Sequence, residues 1–317
     1  MPTVERFKEN YYKKLDSIDL DILISRVIKK EREFILIHPE YKLTTLQAKK
    51  IALLANRRLK NEPLAYILGE KEFYGLNFKV NAHTLIPRPE TELMVDLALQ
   101  NVISHQSSVI NVIDVGTGSG NIIISLTHNM EHRTWGIDSV NCESKTTNHA
   151  ENCGLKTVNC FATDISPDAL KIARQNARLH NLNKKIKFLH GDLLEPFSKK
   201  IQTTCYKLPA TNLIILANLP YLSKDIYYAC AKNVKEYEPK SALYSPQNGL
   251  SHYNKLLSQI KSLITSYKLR ATILMEISPE QKKIIIPLIK KYFSQAQIKF
   301  KKDLAQKWRV CKIEIEE

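Results

Sequence analysis

Asp114-Val115-Gly116-Thr117-Gly118-Ser119-Gly120 stands between two apolar runs, Val109–Val115 and residues 121–127. The first run has the continuous β-branched character of a buried strand, and the second carries on as a helix. Glycines at every other position let the main chain turn tightly and come close to a ligand. The pattern is G-x-G-x-G, distinct from the G-x-G-x-x-G of dinucleotide-binding turns. Taken alone it also fits a tight strand–helix turn with no ligand.

Downstream of this unit the alternation continues. Residues 161–164, 186–189, 213–217 and 272–277 read as strands. Ser166-Pro167-Asp168 offers a helix cap followed by proline at the first helical position, ahead of Ala169, Ala173 and Ala177. Such alternation predicts an α/β fold with a parallel sheet and crossover helices. Strands 298–300 and 309–315 leave no room for a helix between them, so they form a hairpin and the last strand runs antiparallel. Gly120 and Asp164 are far apart for such a unit, where about 20 residues is usual. The polar stretch between them predicts an inserted surface loop over about 132–158.

Upstream, the first 70 residues read as a small helical bundle. Thr44 and Gln47 have capping-box spacing, and Ala48, Ile51, Ala52, Ala55 and Leu59 recur on one helical face. Leu64 to Leu68 makes a further short helix stopped by Gly69. Aromatics around Gly75-Leu76-Asn77 predict a hairpin from Phe73 to Val80. Pro89, Glu90 and Glu92 suit the first turn of a helix running through Leu99. The expected domains are 1–72, helical; 73–84, a linking hairpin; and 85–317, the α/β domain.

The chain is 44% hydrophobic and 25% charged, without an apolar run long enough to span a bilayer. Met1 to Asn10 lacks the apolar core of a secretory signal. None of the six cysteines forms a C-x-x-C pair, so reduced thiols and a cytoplasmic location are expected. Cys142, His149, Cys153 and Cys160 match no standard zinc spacing, and no metal is expected. The net charge of +15 is spread along the chain. It fits an acidic or RNA-bound partner, and equally a lysine-rich proteome.

Two acids sharpen the glycine turn. Asp164 closes the second strand of the unit, where a carboxylate can hold the ribose hydroxyls of a nucleoside. Asp192, after Gly191, follows the third strand and could accept from an adenine amino group. Asn218-Leu219-Pro220-Tyr221 then closes the fourth strand. An amide nitrogen is a poor nucleophile because its lone pair is delocalised. It needs acceptors for its two N–H groups, placed so that the lone pair faces a methyl donor. The Asn218 side-chain oxygen can take one N–H and the Leu219 carbonyl the other. Pro220 stiffens the loop, and the Tyr221 ring can cover a flat amide. Orientation is the main contribution, and no strong base is needed.

With these residues in view, the chain resembles the PrmC/HemK family of protein-(glutamine-N5) methyltransferases over nearly its full length. The resemblance is carried by Phe73-Tyr74-Gly75-Leu76, Ile86-Pro87-Arg88-Pro89-Glu90-Thr91-Glu92, the glycine turn, and Ala162-Thr163-Asp164-Ile165-Ser166. It continues through Asn218-Leu219-Pro220-Tyr221, Glu238-Pro239, Ala242-Leu243, Gly249-Leu250 and Asp303-Leu304-Ala305. It implies a class I S-adenosyl-L-methionine-dependent methyltransferase domain, Rossmann-like and seven-stranded, behind a small helical-bundle domain. Gly116, Thr117, Gly118, Ser119, Gly120, Asp164, Asp192, Leu193 and Asn218 would contact the cofactor. Asn218, Leu219, Pro220 and Tyr221 would hold the substrate, with Asn218, Pro220 and Tyr221 serving catalysis. The implied substrate is the glutamine of the Gly-Gly-Gln motif in class I peptide chain release factors, modified by a cytoplasmic monomer that binds neither DNA nor membrane.

The family usually has Asn-Pro-Pro-Tyr, whereas here Leu219 replaces the first proline, keeping the carbonyl and restoring an N–H. The insertion near 132–158 is a second departure. Three alternatives stay open at this point: a glutamine methyltransferase acting on a ribosomal protein, a DNA adenine amino-methyltransferase, and a non-catalytic cofactor- or RNA-binding module. The second would normally carry a base-flipping recognition region, and little chain is left over for one.

Overall fold

The computed structural model describes residues 1–104, 109–132, 157–203 and 212–316. Helices Val4–Glu9, Ser17–Ile28, Arg32–Ile37, Thr45–Leu59 and Leu64–Leu68 pack around Leu23, Ile24, Leu43 and Ile51. The Thr44 hydroxyl accepts the Gln47 N–H at 3.2 Å, and the Gln47 side chain accepts the Thr44 N–H at 2.9 Å. Two orphan donors at the start of Thr45–Leu59 are thereby satisfied.

Gly69, in the left-handed region, ends the helical part and leads into a hairpin of β1 (Glu70–Phe73) and β2 (Leu76–Lys79). The hairpin therefore begins at Glu70, ahead of the Phe73 start expected from the aromatics. Glu70, Lys71 and Glu72 look like linker residues but pair with Lys79, Phe78 and Asn77. The next helical segment starts as a 3-10 turn, Pro89–Thr91, and continues as Glu92–Ser104.

The main sheet contains β3 (Val109–Val115), β4 (Thr157–Asp164), β5 (Ile186–His190), β6 (Asn212–Ala217), β7 (Arg270–Glu276), β8 (Gln297–Lys302) and β9 (Trp308–Ile315). Its strand order is β5-β4-β3-β6-β7-β9-β8. Pairing is parallel from β5 across to β7, and β9 is antiparallel to both its neighbours. The last strand thus lies inside the sheet, with β8 outside it. Both faces are covered, so the strands are apolar without alternation. Ile113, Phe161, Ile215 and Ile273 face one core with Tyr253. Val112, Ala162, Leu216 and Leu274 face the other with Met94 and Ile123.

β4 starts at Thr157, four residues ahead of the strand expected from 161, and its first two residues fall within the expected inserted loop. Asn159 donates its side-chain N–H to the Asn111 side-chain oxygen on β3 at 3.2 Å, and Cys160 is buried. Cys142, His149 and Cys153, the other candidate zinc ligands, lie outside the described residues. Among the described residues no helix is long and apolar enough to cross a membrane.

β3 is the switch point of the sheet. From it the chain steps outward to β4 and β5 on one side and later to β6 and β7 on the other. Connections leaving in opposite directions open a crevice outside the carboxyl ends of the strands. Val115 pairs with both Thr163 and Ala217, and Ala217 with Met275, so these ends stand level.

Candidate active site

A cavity of about 420 Å³ opens at that crevice. The glycine turn, Asp164 to Ser166, Asp192 with Leu193, and Asn218 to Pro220 all line it, and the segment from Ala82 to Thr91 faces them. Four strand ends distant in sequence therefore converge on one site.

The glycine turn is held from below. Gly116 and Thr117 donate their N–H groups to the Thr163 carbonyl at 2.9 Å each. Gly118 donates to one Asp164 carboxylate oxygen and Ser166 to the other, both at 2.8 Å. Burial raises the Asp164 carboxyl above the usual carboxylate range, and these N–H groups act against the rise. A Cβ on Gly116 would lie 2.8 Å from Leu219 Cδ2, so the glycine loop and the Asn218 loop pack directly on each other. The space over Gly118 is open for at least 4 Å. Gly120 does not line the cavity among the described residues; it is turned toward Ile124 and Ala173.

Beneath the turn, Asp114 is completely buried and accepts the Thr117 hydroxyl at 2.6 Å. Burial pushes its carboxyl up to about 7. Asp192 forms an ion pair with Lys255, and both line the cavity. Leu193 beside it is buried in a left-handed conformation.

Asn218 is half-buried, Leu219 buried and Pro220 half-buried at the cavity wall. The Asn218 side-chain N–H donates to the Thr91 hydroxyl at 3.3 Å. Tyr221 is not among the described lining residues. Its ring packs on the core under the sheet, and its hydroxyl donates to Glu276 at 3.3 Å. A ring so placed supports the loop from the core side. Under the loop, the Tyr253 hydroxyl donates its proton to the Glu276 carbonyl.

Sequence reasoning missed Glu276 as a site residue. It closes strand β7 and is fully buried, with Thr91 donating to it at 2.6 Å. Its signal was an acid ending an otherwise apolar run. Arg88 and Glu238, two of the residues that carry the family resemblance, form an ion pair, and Glu238 also accepts the Ile86 N–H at 3.1 Å. That pair fastens the Ile86–Arg88 segment across the cavity mouth.

Residues 3–69 match the PrmC N-terminal domain family, and residues 106–265 match a methyltransferase domain family. A release factor glutamine methyltransferase of Enterococcus faecalis is 31% identical over 271 residues, covering 85% of this chain and 82% of that protein. The protein of that name from Coxiella burnetii is 34% identical over 255 residues, covering 80% and 76%. The chain belongs to the release factor glutamine methyltransferase family. Release factor glutamine methyltransferases use S-adenosyl-L-methionine, and this chain is an S-adenosyl-L-methionine-dependent protein-glutamine methyltransferase. Its cavity fits that cofactor: main chain bare of side chains at Gly118, a carboxylate at Asp164 and a polar rim at Asp192. Among solved structures, the hMettl16 catalytic domain overlays with a TM-score of 0.51 at 12% identity, over 92% of this chain and 90% of that one. That likeness shows the class I methyltransferase fold alone.

Proposed function

We propose that the chain methylates the glutamine of the Gly-Gly-Gln motif in class I peptide chain release factors, as a cytoplasmic monomer. The observation that carries this reading is Asn218 at the cavity wall, packed through Leu219 against the glycine turn. A flat amide entering there meets an oxygen acceptor from the Asn218 side chain and a second from the Leu219 carbonyl. Both N–H groups are then occupied in the amide plane, and the lone pair of the nitrogen stands perpendicular to it.

S-adenosyl-L-methionine, when bound, supplies an electrophilic methyl group. Gly116 to Ser119 and Asp164 would hold it on one side, and Asp192 and Leu193 on the other. Pro220 limits the motion of the loop that holds the amide. Fixing two reactants in line replaces a chance encounter by a preset geometry, which is where most of the acceleration arises. The amide proton becomes acidic only as the nitrogen acquires the methyl, so no strong base is required.

The helical N-terminal domain carries no cofactor-binding pattern, and we assign it the recognition of the protein substrate. Tyr66 donates to the Thr84 carbonyl at 2.6 Å and Tyr237 to the Lys60 carbonyl at 2.8 Å, so these helices are joined to the cavity mouth. The test is transfer of labelled methyl to purified release factors, with the site mapped by mass spectrometry. Label on the Gly-Gly-Gln glutamine supports the reading, and label only on a ribosomal protein or on DNA refutes it. A chain beginning at Gly69 keeps the hairpin and should methylate a free Gly-Gly-Gln peptide better, relative to the intact factor, than the full chain does.

A further inference from the structure

We propose that Thr91 and Glu276 are positioning residues that fix which end of the Asn218 amide faces the substrate, and so make the site select glutamine over glutamate. The inference rests on the amide-binding reading above. Its basis is a hydrogen-bond chain across three segments distant in sequence. The Asn218 side-chain N–H donates to the Thr91 hydroxyl at 3.3 Å, and that hydroxyl donates to Glu276 Oε2 at 2.6 Å. The Tyr221 hydroxyl donates to Glu276 Oε1 at 3.3 Å.

The direction of the chain follows from proton counting. Each carboxyl oxygen of Glu276 accepts a hydroxyl, Oε2 from Thr91 and Oε1 from Tyr221. Thr91 has one hydroxyl proton and commits it to Glu276. What it offers Asn218 is then a lone pair, which only the NH2 end of the Asn218 amide can satisfy. Oδ1 is left as the end presented to the cavity. An oxygen there accepts from a glutamine NH2 and repels a glutamate carboxylate. An inverted Asn218 would present NH2 instead and favour the carboxylate.

Glu276 is well placed to keep this sense. It is 1% exposed, as is Thr91, so water does not scramble the chain. Burial raises the Glu276 carboxyl above its ordinary value; the Thr91 hydrogen bond and then the charge of Arg309, itself paired with Asp303 at 3.0 Å, oppose that rise, while Glu90 adds to it. Leakage to the wrong orientation is suppressed because it would leave a buried donor or acceptor unmatched.

The experiment compares wild type with Thr91→Val, Thr91→Ser and Glu276→Gln. Each receives donor-affinity measurement by calorimetry, single-turnover methylation of a release factor, and inhibition by the same factor with glutamate in place of the Gly-Gly-Gln glutamine. Thr91→Val should slow turnover about tenfold, the worth of one hydrogen bond, with donor affinity unchanged and inhibition by the glutamate factor several-fold tighter. Thr91→Ser should restore both. Glu276→Gln, which can donate to Thr91 and reverse the chain, should resemble Thr91→Val and serves if that variant does not fold. Wild-type turnover in Thr91→Val overturns the inference. So does equal slowing in the valine and serine variants without any change in glutamate inhibition. Failure of the wild-type chain to methylate the release factor would instead refute the functional reading on which the inference rests.

Discussion

Gly249 lies so close to Tyr221 that a Cβ on it would sit 1.9 Å from the Tyr221 carbonyl oxygen. The same carbonyl accepts a hydrogen bond from the Gln281 side chain at 3.1 Å, and Gln281 also reaches the Asn248 carbonyl at 3.3 Å. Gly249 has φ +82, a conformation in which a side chain adds strain to the clash. The Pro246–Gly249 turn and the Asn218–Tyr221 loop thus meet main chain to main chain at Gly249, with the Gln281 amide bridging them alongside. Gly249→Ala is expected to lower stability by about 1–3 kcal/mol. Methylation should fall further than the lost stability explains, because the displaced carbonyl belongs to the substrate loop. Thermal melts alongside single-turnover rates check this, and a variant that melts and methylates like wild type contradicts it.

Asn218→Ala removes an acceptor and frees the substrate amide to rotate, which should slow methyl transfer on the order of a hundredfold. Asn218→Asp keeps an acceptor and adds a negative charge. That charge stabilises a positively charged donor more in the ground state than in the transition state, where positive charge has begun to move to the substrate nitrogen. It should therefore bind the donor at least as tightly as wild type and turn over more slowly. Donor affinity by calorimetry and single-turnover rates separate the two effects. Near-normal turnover in Asn218→Ala would reduce the loop to a simple turn.

Asp164→Ala should weaken cofactor binding by about 1.5–3 kcal/mol, as expected for loss of a charged acceptor. Part of that loss is indirect, since the Gly118 N–H loses the carboxylate that anchors it. Asp164→Asn retains a side-chain oxygen for that N–H and should recover part of the affinity. Calorimetric titration of all three proteins with the methyl donor is the check, and equal affinities would remove Asp164 from the cofactor site.

Asp114 gives the fold a pH signature. Burial is the main cause of its raised carboxyl, the Thr117 hydrogen bond opposes that rise, and the Asp164 charge adds to it. Between the ordinary value of 3.8 and about 7 the unfolded chain has lost this proton while the folded chain keeps it. The folded state then binds more protons, so stability falls as pH rises through that window. Asp114→Asn is neutral throughout and its oxygen can still accept from Thr117. The melting temperature of the variant should gain on wild type from about pH 4 to about pH 7 and hold a constant lead above, a gap on the order of a few kcal/mol at most. A lead independent of pH would show that Asp114 does not titrate in this range.

The parts of the fold visible in sequence were those where local pattern and burial agree. Val109–Val115, the glycine turn and the Ser166-Pro167 cap stand where residue chemistry alone puts them, because each solves a problem within a few residues. The start of β4 was hidden because its polarity belongs to the ladder: Asn159 answers Asn111 on the next strand, a partner 48 positions away. β1 was hidden because Glu70, Lys71 and Glu72 pair only with Lys79, Phe78 and Asn77 in a two-stranded hairpin, and none of the three is buried. Asp164, Asp192 and Asn218 could be gathered to one cavity from their places at strand ends. The Tyr221 position and the Thr91–Glu276 link could not. They depend on which way a side chain turns after the strands have packed, and no spacing along the chain encodes that.

The placement of β9 has a consequence for the birth of the enzyme. β9 follows every other strand in sequence yet is threaded between β7 and β8, pairing Val310 with Glu276. Until it docks, β7 is an open edge and the Glu276 side chain lacks Arg309 nearby. A nascent chain with all its other strands already emerged would still have no settled cradle for the Asn218 amide. Competence then arrives in a single late step instead of growing with length, as expected where long-range pairing must precede its reward.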